Sequence, residues 1–431
     1  MLQTPAIQKS EPPPAGSANT AARAGLDGAP PAGAPAPAPE AAASRGLDWF
    51  NLFVANIQTG FGPFIAVYLS GQKWTQTAIG VALSVGTVSS MASQVPAGAL
   101  VDATRHKSRV AAASIIAFTA SALLFAMQPT PLFVYVAEIL HGFSSCTLGP
   151  AIAAMSLAIA GSAAFGVRLG RNARYSSIGN GVGAILMGAC GYYVSSQSVF
   201  ILTAALTLPA IIALVPLSSL DEQMERRQER RVHKETVRHV LADGRLLIFA
   251  VCAMLFTLAN AALLPLVSSE VTKRAGGIAS LLIAACIVLP QLIVALFSPQ
   301  VGRLAQSRGR RLALLIGFAM LPLRGMLFAL TTNPALVLLI QALDGIAGAC
   351  FGVLVPLVVS DIAGRSGHFN LSLGFVGVAI GIGATFSTTL AGWIADRFGD
   401  PAAFWALGAT GLAATLIILG AMPETRPAIE D

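Results

Sequence analysis

The sequence predicts an all-α membrane protein with twelve transmembrane helices in two six-helix pseudo-symmetric halves. Of its residues, 55% are hydrophobic and 11% are charged, whereas soluble domains contain roughly 25% charged residues. Apolar runs of about 20 residues, long enough to cross a bilayer as a helix, occur twelve times. Two similar short charged loops, one in each half, indicate an internal duplication.

The chain divides into five segments. A Pro- and Ala-rich start, poor in large apolar side chains, predicts a disordered cytoplasmic tail over residues 1–45. A stretch dense in opposite charges predicts a solvated cytoplasmic linker between the halves. The remaining segments are the N-terminal half at 46–217, the linker at 218–245, the C-terminal half at 246–421 and a cytoplasmic C-terminal tail at 422–431.

Each apolar run is taken as one spanning helix. The predicted runs are 47–70, 76–101, 109–128, 132–160, 173–195 and 197–217 in the first half, and 246–268, 276–301, 311–331, 334–361, 370–393 and 401–421 in the second.

The 27 Lys and Arg residues predict the orientation. Most of them fall in the tails, in the linker and in the alternate loops on the same side of the membrane. An excess of Lys and Arg is typical of cytoplasmic loops. Both termini are therefore expected in the cytoplasm, in a plasma membrane of the bacterial inner-membrane type. The opposite side holds only Lys73, Lys273, Arg274 and Arg397.

The first charged loop runs from Gly98 to Arg109 and has the pattern Gly, any residue, Leu, any residue, Asp, then basic residues. It resembles the signature loop between the second and third helices of the major facilitator superfamily. Where the family usually has Gly and Arg, this chain has Arg105 and His106. The matching positions are Gly98, Leu100, Asp102, Lys107 and Arg109.

A second copy of the loop follows the eighth run. It departs from the pattern at Gln306, which stands where the first copy has Asp. The resemblance implies that both loops take part in gating between the two halves. The matching positions are Gly302, Leu304, Gly309, Arg310 and Arg311.

The resemblance implies secondary active transport of a small organic molecule by alternating access. Protons are the expected coupling ion, and export is placed ahead of the alternative, a proton-coupled uptake symporter of a small metabolite. The family's proline-containing glycine motif of exporters is absent from the fifth run, which weakens the export assignment. A substrate-sensing receptor on the same fold is the alternative of another class.

Embedded carboxylates are the candidates for proton coupling. Glu138 in the fourth run and Asp344 in the tenth are the acidic residues that lie well inside apolar runs. Charged groups at such depth are energetically costly, so their presence indicates a function. His141 lies three residues after Glu138 and thus on the same helical face. Many family members have Arg at the Glu138 position, in a motif linked to proton transfer, so this chain inverts that charge.

One embedded cation accompanies these carboxylates. Arg324 in the ninth run lies about two turns from the helix end, a depth similar to that of Asp344, so we expect the two to pair. Other polar side chains in apolar runs are expected to face a cavity or neighbouring helices. These cavity candidates are Asn56, Gln58, Asn260 and Gln341.

Several function classes are excluded. No phosphate loop or nucleophile motif is present, so we expect no enzyme activity and no cofactor. The five cysteines lie in five different runs without metal or disulfide spacing. The net charge of +7 is explained by topology rather than by nucleic acid. We expect the protein to be a monomer in the lipid bilayer. Its helices are expected to pack closely at Gly179, Gly183, Gly377 and Gly381.

Overall fold

The computed structural model describes residues 38–61, 63–74, 76–127, 129–228, 243–267, 279–331, 333–363 and 368–426. All its helices are α-helices that run up and down a bundle. The first half contains α1 (Ala38–Thr59), α2 (Pro63–Gly71), α3 (Gln76–Ala103), α4 (Lys107–Met127), α5 (Pro131–Tyr193) and α6 (Ser198–Gln228). The second half contains α7 (Gly244–Asn260), α8 (Ala279–Arg308), α9 (Arg310–Leu330), α10 (Pro334–Ala363), α11 (Phe369–Phe398) and α12 (Asp400–Ala421).

Nine helices among the described residues are long and apolar enough to cross a membrane. One of them, α5, contains both the fourth and the fifth predicted runs. The first run is divided between α1 and α2, and the second forms α3, where several Ser residues and Gln94 lower the hydropathy. With α5 counted as two runs, the first and second runs complete the twelve.

The sequence prediction was wrong about the boundary between the fourth and fifth runs. A loop was expected between residues 160 and 173, but the break between the two helices is confined to Gly161, where φ is 65° and ψ is 172°, and helical structure resumes directly after it. Glycine adopts this positive φ without a steric penalty, so the chain changes direction at one residue. The segment from Arg168 to Arg174 is helical as a result.

Two segment boundaries also differ from the prediction. Helix α1 already begins at Ala38, inside the expected disordered tail, because Glu40 to Ala43 are good helix formers. Helix α6 continues to Gln228, beyond the expected end of the half at 217. The rest of the predicted tail, residues 1–37, and the middle of the predicted linker, residues 229–242, lie outside the described residues.

Each half has its own buried core. In the first half Phe50, Phe61, Phe118 and Phe200 belong to one apolar cluster. A second cluster fills the other half, and residues of α5 such as Phe165 join it. Helix α5 therefore belongs to the first half and also packs against the second.

Candidate functional site

A buried charged cluster lies in the second half, between α7, α9 and α10. Arg324 donates from Nη1 to Asp344 Oδ1 at 2.7 Å and from Nη2 to Gln341 Oε1 at 2.8 Å. Nη1 also contacts Asn260 Oδ1. The Arg324 side chain is 1% exposed and that of Asp344 is 26% exposed. The guanidinium is thus enclosed, and the carboxylate forms the accessible side of the cluster.

The first half contains a different pair on α5. Glu138 Oε2 lies 3.7 Å from His141 Nδ1, and the side chains are 3% and 22% exposed, respectively. Among the described residues, Glu138 Oε1 and His141 Nδ1 have no hydrogen-bond partner. Glu138 lies against Gly86 of α3, where any side chain would displace the carboxylate. A buried carboxylate without a cationic partner is costly, which marks Glu138 and its neighbour His141 as a candidate functional pair.

Aromatic rings hold His141 in place. The Phe61 ring stacks on the imidazole with centroids 4.3 Å apart and planes 7° apart. Phe118 of α4 approaches the imidazole edge-on at 5.5 Å. Phe61 lies just after the end of α1, so His141 packs beside the interruption in the first membrane run.

The two clusters occupy equivalent positions of the two halves. Helices α5 and α10 both begin with proline, and from there Glu138 corresponds to Gln341 and His141 to Asp344. Helices α4 and α9 have 21 residues each, and the position of Arg324 in α9 is that of a serine in α4. That serine, Ser121, donates to a backbone carbonyl at 2.7 Å. The second half therefore holds a carboxylate paired with an arginine, whereas the Glu138 carboxylate of the first half has a serine at the equivalent of the arginine position.

The remaining cavity candidates differ in environment. Asn56 is buried, and its Oδ1 has no hydrogen-bond partner among the described residues. Gln58, two residues later on α1, is exposed. Asn260 belongs to the Arg324 cluster, at the end of α7.

The first signature loop joins the two halves. Asp102 accepts hydrogen bonds from the backbone N–H of Asn370 at 3.1 Å, from Asn370 Nδ2 at 2.7 Å and from the backbone N–H of Leu371 at 2.8 Å. These N–H groups lie in the first turn of α11, where a carboxylate is also stabilised by the helix dipole. Gly98 packs so closely on Asn370 that a Cβ would collide with its carbonyl.

Basic residues of this loop have separate roles. Lys107 is buried and donates to the carbonyls of Val101 and Thr104, the latter at 2.5 Å, which closes the end of α3. Arg109 is exposed. We call this end of the bundle, where Asp102 and Arg310 lie, the signature-loop end.

The second loop also contacts the other half, through Gly302 and Gln306. Gly302 packs on Gly166 of α5 as Gly98 packs on Asn370, with a Cβ on Gly166 lying 3.2 Å from the Gly302 carbonyl oxygen. Gln306 donates from Nε2 to the Ser162 carbonyl at 3.5 Å, just after the break at Gly161.

Two carboxylates from other parts of the second half accept hydrogen bonds from this loop. Arg310 donates from Nε to Asp361 Oδ2 at 2.8 Å. Glu424 accepts from the backbone N–H groups of Arg310 at 2.8 Å and Arg311 at 3.1 Å and so caps α9. Gly309 precedes α9 with φ of 103°, a conformation suited to glycine.

The sequence model of the Major Facilitator Superfamily matches residues 48–272 and 249–431. The chain belongs to this superfamily. Two relatives, both uncharacterised MFS-type transporters of Mycobacterium tuberculosis, from strain CDC 1551 / Oshkosh and strain ATCC 25618 / H37Rv, are each 36% identical over 390 residues. Each match covers 89% of this chain and 93% of the relative.

Solved structures of the superfamily share the fold. A proton:xylose symporter, XylE, bound to 6-bromo-6-deoxy-D-glucose has a TM-score of 0.65 at 16% identity, over 90% of this chain and 96% of XylE. The human organic anion transporter TETRAN has a TM-score of 0.68 at 13% identity, over 89% of this chain and all of TETRAN. The chain is accordingly an integral multi-pass membrane transport protein and not an enzyme, with the twelve-helix MFS fold in two halves.

Sequence reasoning missed one polar network of this MFS protein. The Asp48 carboxylate accepts from Arg168 Nη2 at 2.7 Å and from Arg171 Nη2. Arg168 also donates from Nε to Asn172 at 2.9 Å, and Asn172 donates to Ser156 at 2.6 Å. The excess of Lys and Arg on one side accounts for these arginines by topology alone, whereas their contacts with Asp48 tie α1 to α5. An aspartate at position 48, inside the first helix and beside two aromatic residues, was the signal that could have revealed this network.

A second missed contact joins the halves. Arg174 of α5 donates from Nε to the Ala295 carbonyl of α8 at 2.9 Å. Close by, Gly170 packs on the backbone of Ser298. Together with Asp102, these residues hold the two MFS halves together at the signature-loop end.

Proposed function

We propose that the chain is a proton-coupled secondary transporter of a small organic molecule, with Glu138 and His141 as the proton carrier. The observation that carries the proposal is the buried Glu138 carboxylate, which among the described residues has no cation beside it other than a protonatable imidazole. Embedded carboxylates of this kind mark proton relays in transporters. Asp344 is assigned the part of structural partner to Arg324, because its carboxylate lies 2.7 Å from that enclosed guanidinium.

Alternating access is proposed as rocking of residues 46–217 against residues 246–421. The hydrogen bonds of Asp102 and Arg174 support a state that is closed at the signature-loop end. By the distribution of Lys and Arg, that end faces the cytoplasm, as do both termini. Transporters with repeated halves bind substrate between the repeats and move around it. We place the protein in the inner membrane as a monomer, with export as the direction and uptake by symport as the alternative.

The test uses proteoliposomes with an imposed pH gradient. Small molecules that raise the melting temperature of the purified protein serve as candidate substrates. The native protein is expected to accumulate the substrate against its gradient, and the sign of the effective pH gradient distinguishes antiport from symport. Glu138→Gln should lose accumulation yet keep downhill exchange. Gradient-driven accumulation by that variant would remove Glu138 from the coupling role, and binding without flux would indicate a receptor.

A further inference from the structure

Positive charge is in excess where α1 and α5 meet at the signature-loop end. Arg168 Nη2 and Arg171 Nη2 contact the two different oxygens of the Asp48 carboxylate. The Arg168 side chain is enclosed, with 5% exposed, whereas that of Arg171 is 46% exposed. Among the described residues, one carboxylate therefore balances only one of the two guanidinium charges, and the remaining charge is accessible at Arg171.

Arg45 on α1 adds a second accessible positive charge beside this pair. It is exposed and lies three residues before Asp48, and residues three apart are neighbours on the surface of a helix. The hydroxyl of the preceding residue, Ser44, accepts from Arg168 Nη1 at 2.9 Å, so α5 reaches α1 at this same turn. Arg45 and Arg171 thus flank one buried carboxylate from two packed helices.

The two arginines lie at the boundary between the membrane and water. Trp49 follows Arg45 by four residues and is 53% exposed, and its ring stacks on Phe53 with centroids 6.1 Å apart. Exposed tryptophan is typical of the headgroup level of a bilayer. On α5, Arg171 precedes the fifth apolar run by two residues. A ligand of this surface therefore has a polar group at the headgroup level and an apolar part beside Trp49.

The chemistry of this surface selects an anionic phosphate group. Arginine binds phosphate oxygens through two parallel N–H donors. Among the described residues Arg171 uses only Nη2, on Asp48, so Nε and Nη1 are left for a ligand. An ammonium or choline headgroup would bring a further positive charge next to two guanidinium groups, and like charges repel. The contact with Asp48 also holds the Arg171 side chain in place before a ligand arrives, which lowers the entropy cost of binding.

We infer that Arg45, Arg171 and Trp49 bind the headgroup of an anionic phospholipid in the leaflet next to the signature-loop end. The phosphate is held between the two guanidinium groups, and the glycerol part lies beside the Trp49 ring. Because Asp48 and Arg168 connect this surface to both helices, a bound lipid stabilises the contact between α1 and α5. The inference concerns a lipid partner and does not depend on the substrate or on proton coupling.

The test compares lipids that differ only in their headgroup. The purified full chain, freed of native lipid in detergent, receives phosphatidylglycerol, phosphatidylethanolamine or phosphatidylcholine with identical acyl chains. Phosphatidylglycerol should raise the melting temperature by several degrees more than the other two, and added salt should reduce this difference. Equal effects of the three lipids would overturn the inference. So would equal stabilisation by glycerophosphoglycerol, the same headgroup without acyl chains, because the ligand would then be a soluble phosphate.

Variants test whether the named arginines form the site. Arg45→Gln and Arg171→Gln should each weaken phosphatidylglycerol binding about fivefold, the effect of one lost charge near the membrane surface. Native mass spectrometry of the lipid-bound protein measures this loss. Both variants are expected to fold, because Arg45 is exposed and Arg171→Gln leaves Asp48 paired with Arg168 at 2.7 Å.

A matched control removes two charges elsewhere at the same end of the bundle. Arg303 and Arg308 of α8 are both exposed, and the double variant Arg303→Gln with Arg308→Gln should bind phosphatidylglycerol nearly as the native protein does. The double variant Arg45→Gln with Arg171→Gln should lose the preference for phosphatidylglycerol over phosphatidylethanolamine. Equal losses in the two double variants would show a general effect of net charge and would overturn the site.

Discussion

Asp102 and Asn370 lie in different halves of the chain and are joined by two hydrogen bonds, from the Asn370 backbone N–H and from its Nδ2. With the bond from the Leu371 N–H, the carboxylate uses both oxygens on the first turn of α11. A hydrogen bond to a charged group typically contributes about 1.5–3 kcal/mol to stability. This contact is therefore large enough to bias the equilibrium between closed and open states at the signature-loop end.

Asp102→Asn is expected to open the signature-loop end. The new amide group would point N–H donors at the N–H groups of α11, so the contact loses about tenfold or more in population. Ser298 is fully buried at the interface between the halves, and Ser298→Cys, in a background without the five native cysteines, serves as the reporter. Its labelling rate with a thiol reagent should rise several-fold in Asp102→Asn and stay unchanged in Asp396→Asn. Equal rates in all three proteins would contradict gating.

Local patterns in the sequence predicted much of this arrangement. Apolar run length gave twelve spanning segments, since bilayer thickness fixes helix length. The similar depths of Arg324 and Asp344 in two consecutive helices predicted that they pair, and the structure places the two charged groups 2.7 Å apart. The functional roles of both residues stay predictions.

Contacts between distant segments could not be predicted in the same way. Asn370 lies 268 residues from Asp102, and Arg168 lies 120 residues from Asp48. Nothing in either local pattern selects the partner. The early start of the helix after Gly161 was also missed, because a charged segment between two apolar runs is typical of a loop, and here a single positive φ at Gly161 provides the turn.

Gly183→Leu is expected to destabilise the first half. A Cβ at Gly183 would lie 2.9 Å from Asn56 Oδ1 and 3.1 Å from Asn56 Cα, so a larger side chain must push α1 and α5 apart. Overpacking of this kind costs about 1–3 kcal/mol. The matched control is Gly188→Leu on the same helix, where a Cβ meets nothing within 4 Å.

Thermal unfolding in detergent checks the comparison. Gly183→Leu should lower the melting temperature by several degrees, and Gly188→Leu should leave it nearly unchanged. A Gly183→Leu protein as stable as the parent, but without ligand-dependent stabilisation, would show that Gly183 contacts substrate instead.

Asp344→Asn is expected to reduce the folded yield. It leaves the enclosed Arg324 charge without its counter-ion, which costs about 3–5 kcal/mol for a buried pair. The double variant with Arg324→Met removes both charges and should recover most of that loss. Fluorescence-detected size-exclusion chromatography of the solubilised proteins compares the yields. A double variant no better folded than Asp344→Asn would argue against the ion pair as the cause.

Glu424→Gln is expected to destabilise the second half in a pH-dependent way. Burial of the Glu424 carboxyl raises its pKa, but hydrogen bonds from the backbone N–H groups of Arg310, Arg426 and Arg311, with the Arg310 charge, outweigh burial and bring the pKa below its ordinary value of 4.5. A depressed carboxyl pKa gives stability that is present above the unfolded-state pKa and lost as the pH falls through the folded-state pKa. At neutral pH the variant should lose about 1 kcal/mol or less, since the group is largely exposed.

Melting temperatures of the native protein and Glu424→Gln, measured from about pH 7 down to about pH 3, check this sign. The difference between the two proteins should be largest near neutrality and should shrink towards zero as Glu424 becomes protonated. Asp396→Asn, at an exposed position near the other end of the bundle, controls for the loss of one surface carboxylate and should show no such trend. A Glu424→Gln deficit that stays constant across the range would mean that the carboxylate charge does not stabilise the start of α9, and that the amide fills the cap equally well.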